Sequence, residues 1–334
     1  MNKFVRTAQT NQSLSLAAME EASRTGLREA DIDHLFLALV INDQAAGRVL
    51  RECGISIEGA RRAVQEQHGA QLAELGIEAV FPQSGQIVFH QTNGYQWSKR
   101  AADILARSAG KNKDGDASAV LRELLAEPSG LITGVLGKLR VTSAALLGEL
   151  ELAETLQTPG TFVVPQVKGW MSSSTSVFVP APVAEVREFL IDPAKVPEWH
   201  VGVGSIELDP ETLVNSETLM NSTWSAHAPV TGPNGKATKI KPQFRRLHIE
   251  RSLTRHDEQV EWRITHPDSP RNRPLLTTIV LVQTTGGTQV SITNAWQAQG
   301  GWRKPIAWVL RPIQKFFVWF QMFHMGGATS RAFR

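Results

Sequence analysis

The stretch Ser176–His200, SVFVPAPVAEVREFLIDPAKVPEWH, decides the reading of this chain. Its first residues alternate apolar and polar, as a half-buried strand does. Pro180 and Pro182 end that strand, because proline cannot donate to a ladder. Val183–Ile191 then repeats apolar residues at helical spacing. Asp192-Pro193 opens another turn, which ends near Trp199.

Working outward, the strand extends back to Ser172 as SSSTSVFV over 172–179. Strand-like runs follow at Val203–Leu208, Thr218–Ala226, Phe244–Leu253, Gln259–Thr265, Leu275–Val282 and Gln289–Ala298. One long helix, Pro305 to about Met325, closes the chain. A strand, short helices, six consecutive strands and a final helix form an α+β order. With its Ala-Pro-x-x-x-Val and Asp-Pro-x-x-x-x-x-Trp elements, Ser176–His200 resembles the opening of the START-like, or SRPBCC, domains of polyketide cyclases and lipid-transfer proteins. The resemblance covers residues 171–334. It implies a helix-grip fold with an antiparallel sheet, a long C-terminal helix and a cavity between them.

Upstream, residues 157–170 (QTPGTFVVPQVKGW) carry two prolines and two glycines and read as a linker. Residues 1–156 read as helices. Thr10–Thr25 has an apolar face and Gly26 as its stop. Asp31 stands as N-cap for the apolar helix Ile32–Ile41, Gln44–Cys53 ends at Gly54, and Ser56 caps Ile57–His68. A second copy follows from Trp97: AAGRVLRECGISIEGARRAV matches ITGVLGKLRVTSAALLGEL as helix, short turn, helix. This half resembles the Clp N-terminal (Clp R) double repeat of Clp ATPases. The phrase DIDHLFLALV supplies the acidic residue, histidine and Leu-rich helix of the first repeat. The second repeat has Ala117-Ser118-Ala119 where the acidic–His pair is expected. The fold class is therefore multidomain, an all-α repeat domain followed by an α+β helix-grip domain.

The composition bounds the function. Of 334 residues, 42% are apolar and 20% charged, enough apolar content for two cores. One cysteine, Cys53, makes an internal disulfide impossible, and no Cys/His cluster has metal spacing, so no metal and no cofactor are expected. The polar start MNKFVRTAQTNQ is unlike a secretory signal, and no long apolar window is available to span a bilayer. A cytoplasmic location is the simplest expectation. Residues 1–160 hold 16 Lys+Arg against 19 Asp+Glu, near −3; the rest hold 35−16=19 against 32−19=13, near +6. Those basic residues are scattered, so no nucleic-acid partner is expected. No phosphate-binding loop is present: Gly134-Val-Leu-Gly137-Lys138 is too short, and Leu139 stands where a hydroxyl would hold Mg²⁺. G-x-S-x-G, H-E-x-x-H and C-x-x-C are absent from the sequence. The motor of a Clp ATPase is therefore missing, while its docking module is resembled.

Strand parity places an apolar set inward: Met220 and Trp224; Leu247, Ile249 and Leu253; Val260, Trp262 and Ile264; Val290, Ile292 and Trp296. Ile306, Val309, Leu310, Ile313, Phe316, Phe317 and Phe320 follow at helical spacing in the last helix. They line either a solid core or, as the resemblance implies, a ligand cavity. Arg251 and Asn294 interrupt the inward pattern. Arg251 either pairs with a neighbour such as Glu261, reaches solvent at a strand end, or, with Asn294, orients the polar head of a ligand. Parity puts His227 and His248 on the outer face. His324 suits the last turns of a helix, and Pro312 should kink it near Leu310. The Trp/Phe-rich end with Arg311 and Lys315 also fits a helix lying on a membrane surface.

In the first half, the resemblance marks Asp33 and His34 as a docking pair for adaptors or substrates, including phosphorylated arginine. A carboxylate in the first turn of a helix is favourable in any case. The combined expectation is a non-ATPase protein that joins a docking module, with a Clp-machine component or client as partner, to a domain that binds an apolar lipid or polyaromatic molecule. The alternatives are a polyketide cyclase- or dehydratase-like enzyme using the same cavity, and an interaction protein with no ligand.

Overall fold

The computed structural model describes residues 3–78, 85–88, 94–155, 170–208, 221–232, 237–253, 258–269, 272–297 and 304–334; the side chains of Asn221, Leu253 and residues 304–317 are not among those described. The chain divides into two compact units, Met1–Pro159 and Gly160–Arg334.

The first unit runs α1 (Lys3–Ser23), β1 (Glu29–Ala30), α2 (Ile32–Val40), α3 (Ala45–Glu52) and α4 (Ile57–Glu74). It then runs β2 (Gln96–Trp97), α5 (Lys99–Ser108), α6 (Ala117–Leu125), α7 (Leu131–Lys138) and α8 (Ser143–Thr155). Every residue of α2, IDHLFLALV, is buried, so it is the central helix of the unit. Gly26 and Gly54 take φ of +76° and +82° and end α1 and α3, as their positions predict. Side-chain caps mark several helix starts, and one pair is equivalent in the two rounds: Ser56 before α4 and Thr142 before α8, which accepts from the Ala145 amide at 3.2 Å. Ser56 accepts from the Gly59 amide (3.1 Å), Ser98 from Ala101 (3.2 Å) and Asp116 from Ala119 (3.0 Å). Asp31 breaks this pattern by turning its carboxylate to Ser98 and Arg100. The parallel pairing of Glu29 with Gln96 and Ala30 with Trp97 joins the lead-ins of α2 and α5. The two rounds are thereby tied where their helices start.

The second unit holds β3 (Trp170–Val179), α9 (Val183–Ile191), α10 (Val196–Trp199), β4 (Ser205–Ile206), β5 (Asn221–His227), β6 (Arg246–Leu253), β7 (Gln259–Thr265), β8 (Leu275–Thr284), β9 (Gly287–Gln297) and α11 (Lys304–Arg331). The strands form one seven-stranded antiparallel sheet, ordered β3-β9-β8-β7-β6-β5-β4. The helix α11 packs against β3, β9 and α10, which is a helix-grip arrangement.

The structure departs from the sequence reading in three places. The run expected over Val203–Leu208 keeps only Ser205–Ile206, paired with His227 and Ala226 of β5. The helix α11 continues through Pro312 as helix. It also passes Gly326-Gly327 and ends at Arg331 rather than at Met325. Gly326 lies where an added Cβ would meet Val177 Cβ at 3.4 Å. A small residue there lets the helix approach β3 closely, and that packing offsets the cost of glycine in a helix.

Candidate functional site

The antiparallel register lines up five buried residues of the sheet's inner face, four of them polar and one tryptophan, in one row. Ser222, Arg251, Trp262, Thr277 and Asn294 are successive register partners on β5, β6, β7, β8 and β9, and Ser173 continues the row on β3. The first five are all buried. Two residues along each strand, the neighbouring rows are apolar. One is Trp224–Ile249–Ile264–Leu275–Trp296 and the other contains Val260–Ile279–Ile292. Side chains of alternate residues share a face, so the polar row is a belt between two apolar bands.

Four of the five members of the belt are held by hydrogen bonds. Asn294 Oδ1 accepts from the Thr277 hydroxyl at 2.7 Å, and its amide faces Met325 Sδ at 3.8 Å. Trp262 Nε1 donates to the Leu190 carbonyl (3.1 Å), and Arg251 Nη1 to that of Ile191 (2.6 Å). Those carbonyls belong to the last turn of α9, which has no intrahelical donors for them. The cation at the C-terminus of α9 also complements its dipole. Arg251 thus meets backbone here. Glu261, suggested by sequence as its partner, is in register with Ser252 and so projects from the other face. Burial pulls the Arg251 guanidinium below its ordinary pKa, Arg187 adds to this and Asp192 opposes it.

Aromatic rings extend the belt. Arg251 lies 5.5 Å from the Trp224 ring centre. Trp224 and Trp262 are 5.9 Å apart, Trp262 and Trp199 6.4 Å, and Trp199 and His200 5.5 Å. Among the described residues, Trp199 Nε1, Trp224 Nε1, His200 Nε2 and Ser222 Oγ are buried with no hydrogen-bond partner. His200 Nδ1 accepts from the Gly202 amide at 3.2 Å, so the neutral ring carries its proton on Nε2. Three of the four open groups are therefore N–H donors. A buried donor left unpaired costs about 1–3 kcal/mol, so an acceptor oxygen placed against these groups would be favourable. No buried polar side chain described in this unit is a carboxylate. The arrangement orients and hydrogen-bonds; among the described residues it offers no carboxylate base.

Burial lowers the pKa of His200 to about 4. The sign follows from linkage. A histidine neutral in the fold, with an unfolded pKa of about 6.5, contributes its full stability above that pH and loses it as pH falls toward about 4. Melting curves between pH 7 and pH 4 should therefore show wild type losing about 2–3 kcal/mol more than His200→Asn. Parallel curves for the two proteins would assign the acid sensitivity to other groups.

The residues singled out by sequence distribute as follows. Trp224, Leu247, Ile249, Arg251, Trp262, Ile264, Ile292 and Asn294 are buried, and Trp296 is half-buried. Met220 and the side chains of Val309, Ile313 and Phe316 lie outside the described residues. Phe320 is 40% exposed, which places its ring at the surface and not in the core. His248 is exposed and His227 pairs with Glu207 at 2.9 Å. His324 lies well before the end of α11 and packs edge-on against Phe320 at 4.3 Å. Its pKa is lowered by burial and by Arg331. The sequence reading missed Trp199, His200, Ser222 and Thr277 as site residues. Thr277, a hydroxyl inside the run LLTTIVLV, was the available signal.

In the helical unit, Asp33 turns inward and is 7% exposed. Its Oδ1 accepts from the His34 amide at 2.8 Å, and its Oδ2 lies 2.9 Å from His68 Nε2. Burial alone would raise its pKa, but hydrogen bonds and charge from His34 and His68 hold it well below the carboxylate range. His34 Nδ1 accepts from the Asp31 amide (3.2 Å) as a helix cap. The same nitrogen lies 2.8 Å from Asp33 Oδ1. Asp31, more exposed, is held by Arg100 Nε at 2.8 and 2.9 Å. The expected docking pair is thus an internal His–Asp–His cluster, and a direct salt bridge from Asp33 to an incoming guanidinium is not what this geometry offers. Among the described residues, no group of three His, Cys, Asp or Glu is placed to hold a metal ion, and no single helix is long and apolar enough to cross a membrane.

No protein-family model and no curated protein matches the chain. Among solved structures, the di-domain aromatase/cyclase BexL is 15% identical, with 62% of each chain covered and a TM-score of 0.35. The chain thus spans less than two thirds of that protein. An aromatase/cyclase from a Streptomyces species is 14% identical over 49% of this chain and 96% of its own, TM-score 0.34. A polyketide-cyclase-like protein from Corynebacterium glutamicum is 10% identical over 50% and 93%, TM-score 0.31. Likeness at this level carries no weight for function, and the helix-grip description rests on the strand order and register.

Proposed function

We propose that residues 171–334 bind an apolar small molecule bearing hydrogen-bond-acceptor oxygens, such as a polyphenol, a quinone or an oxygenated lipid. The observation that carries this reading is the buried belt Ser222–Arg251–Trp262–Thr277–Asn294 between two apolar bands, with indole and imidazole donors still open beside it. Binding sites of this kind combine apolar walls with a few placed polar groups. In this proposal the expected linker shortens to residues 157–169, which lie outside the described residues, since Trp170 opens β3, and residues 1–156 act as a Clp-repeat-like docking module for a protein partner. The equivalent caps Ser56 and Thr142, before α4 and α8, support the repeat; the inward position of Asp33 moves any contact surface elsewhere on the module.

A second reading keeps the same residues and adds turnover. An oxygenated polyketone lying along donors such as Arg251 and Trp199 would be folded for cyclisation, with enolate charge developing next to N–H groups. The absence of a described buried carboxylate favours binding over this enzyme.

Native mass spectrometry of the purified full chain, followed by titration of its tryptophan fluorescence with emodin, tests the proposal. The expected result is a co-purifying mass or a saturable quench that weakens in Ser222→Val and Trp224→Phe. A chain that carries no mass, and whose fluorescence ignores both emodin and oleate, would reduce this unit to a filled structural core.

A further inference from the structure

The open groups of the belt gather at one end and are nearly all of one kind. Ser222 and Trp224 lie two residues apart on β5, so their side chains share a face. Trp199 and His200, at the end of α10, adjoin them through Trp262, whose ring stands 6.4 Å from Trp199 and 5.9 Å from Trp224. Trp199, Trp224, His200 and Ser222 are 1%, 4%, 4% and 6% exposed. The open nitrogens, Trp199 Nε1, Trp224 Nε1 and His200 Nε2, can only donate, whereas the Ser222 hydroxyl can also accept. The acceptors nearby are engaged: the Leu190 carbonyl by Trp262, that of Ile191 by Arg251, and Asn294 Oδ1 by Thr277. The Thr277 hydroxyl stands three strands away from Ser222, roughly 14 Å at about 4.8 Å per strand.

We infer that this end of the belt binds a quinone in its oxidised form and discriminates against the corresponding hydroquinone. The inference rests on the ligand-binding reading above and narrows it. A quinone carries acceptors only, so its oxygens can take N–H groups from the site and leave nothing of their own unpaired. A hydroquinone brings two O–H groups, and Ser222 alone among the open groups can accept one. The second hydroxyl is then buried without a partner, which costs at least about tenfold in affinity. The walls act in the same direction. Indole faces are electron-rich, and a quinone ring, depleted by two carbonyls, stacks on them more favourably than an electron-rich hydroquinone. No electron is transferred; the selectivity is one of binding. Holding the oxidised form about tenfold more tightly still lowers the two-electron midpoint potential of the bound couple by about 30 mV.

Duroquinone is the probe, since its fully methylated ring has no open position for the free thiol of Cys53 to attack. Isothermal titration calorimetry of the full chain under argon should give a Kd at least about tenfold lower for duroquinone than for durohydroquinone. Trp224→Phe keeps a ring and removes a donor, so it should narrow that ratio. Ser222→Ala removes the one acceptor and should widen it. Circular dichroism checks that each variant is folded, and Trp199→Phe takes the place of Trp224→Phe if the latter is not. Equal affinity for the two forms, or tighter binding of the hydroquinone, would overturn the inference and leave the ligand-binding reading standing. A ratio that neither variant moves would overturn it as well. Binding of neither form also sinks it; a response to emodin would then keep the wider reading, and none would remove both.

Discussion

Trp262→Ala will lose about 3–5 kcal/mol of stability, the usual loss for a buried tryptophan in a core. Trp262 is 1% exposed, and its ring lies between those of Trp224 and Trp199. Its N–H also reaches the Leu190 carbonyl at the end of α9. Truncation therefore opens a cavity at the centre of the belt and frees a helix-terminal carbonyl in the same step. For a unit of this size each kcal/mol moves the melting temperature by about 2–4 °C, so differential scanning calorimetry should show a fall on the order of 10 °C or more. Trp262→Phe shrinks the cavity while still removing the hydrogen bond. It keeps the six-membered ring and should cost about 2–3 kcal/mol, less than alanine. A small effect of the alanine variant would mean that the belt is loosely packed and that its neighbours collapse onto the space.

Arg251→Leu should destabilise by about 2–4 kcal/mol. The Ile191 carbonyl loses its charged donor, and leucine cannot satisfy it. Removing the cation next to Trp224 also takes away a ring contact. Arg251→Lys separates charge from geometry, because an ammonium keeps the helix-terminal charge but not the planar fork. The expected result is that lysine recovers part of the stability measured by urea denaturation. If Arg251 also orients a ligand, lysine should leave emodin binding weakened even where the fold is recovered. Equal emodin affinity in wild type and both variants would confine Arg251 to holding α9.

Much of this was legible in the chain itself. The phrase Ser176–His200 announces strand, turn and short helix, and β3, α9 and α10 follow it closely. Parity along β6, β7 and β9 marks Leu247, Ile249, Trp262, Ile264 and Ile292 as inward, because a pleated strand has a period of two whatever its neighbours are. Arg251 and Asn294 stand out for the same reason. Their partners do not. That Arg251 meets a helix-terminal carbonyl, and Thr277 the amide of Asn294, depends on which strands pair and in what register. Asp33 shows the same limit. Its place in the first turn of α2 is local, but its partner His68 comes from α4 and was not foreseen.

The sequence by itself determined the order of the main elements and the inward face of β5, β6, β7 and β9, since these follow from spacing and from proline and glycine along one chain. Tertiary structure decided which polar residues fall into a single row, which carbonyls they meet and which side of α11 faces out. Those depend on pairing between segments far apart in sequence, and Phe320 is the plainest case. Its spacing fits the apolar stripe read as the cavity wall, yet the helix packs through Met322, Met325 and Gly326 and leaves the Phe320 ring partly exposed. Periodicity reports that a helix has an apolar stripe; only packing against β3 reports which stripe is buried.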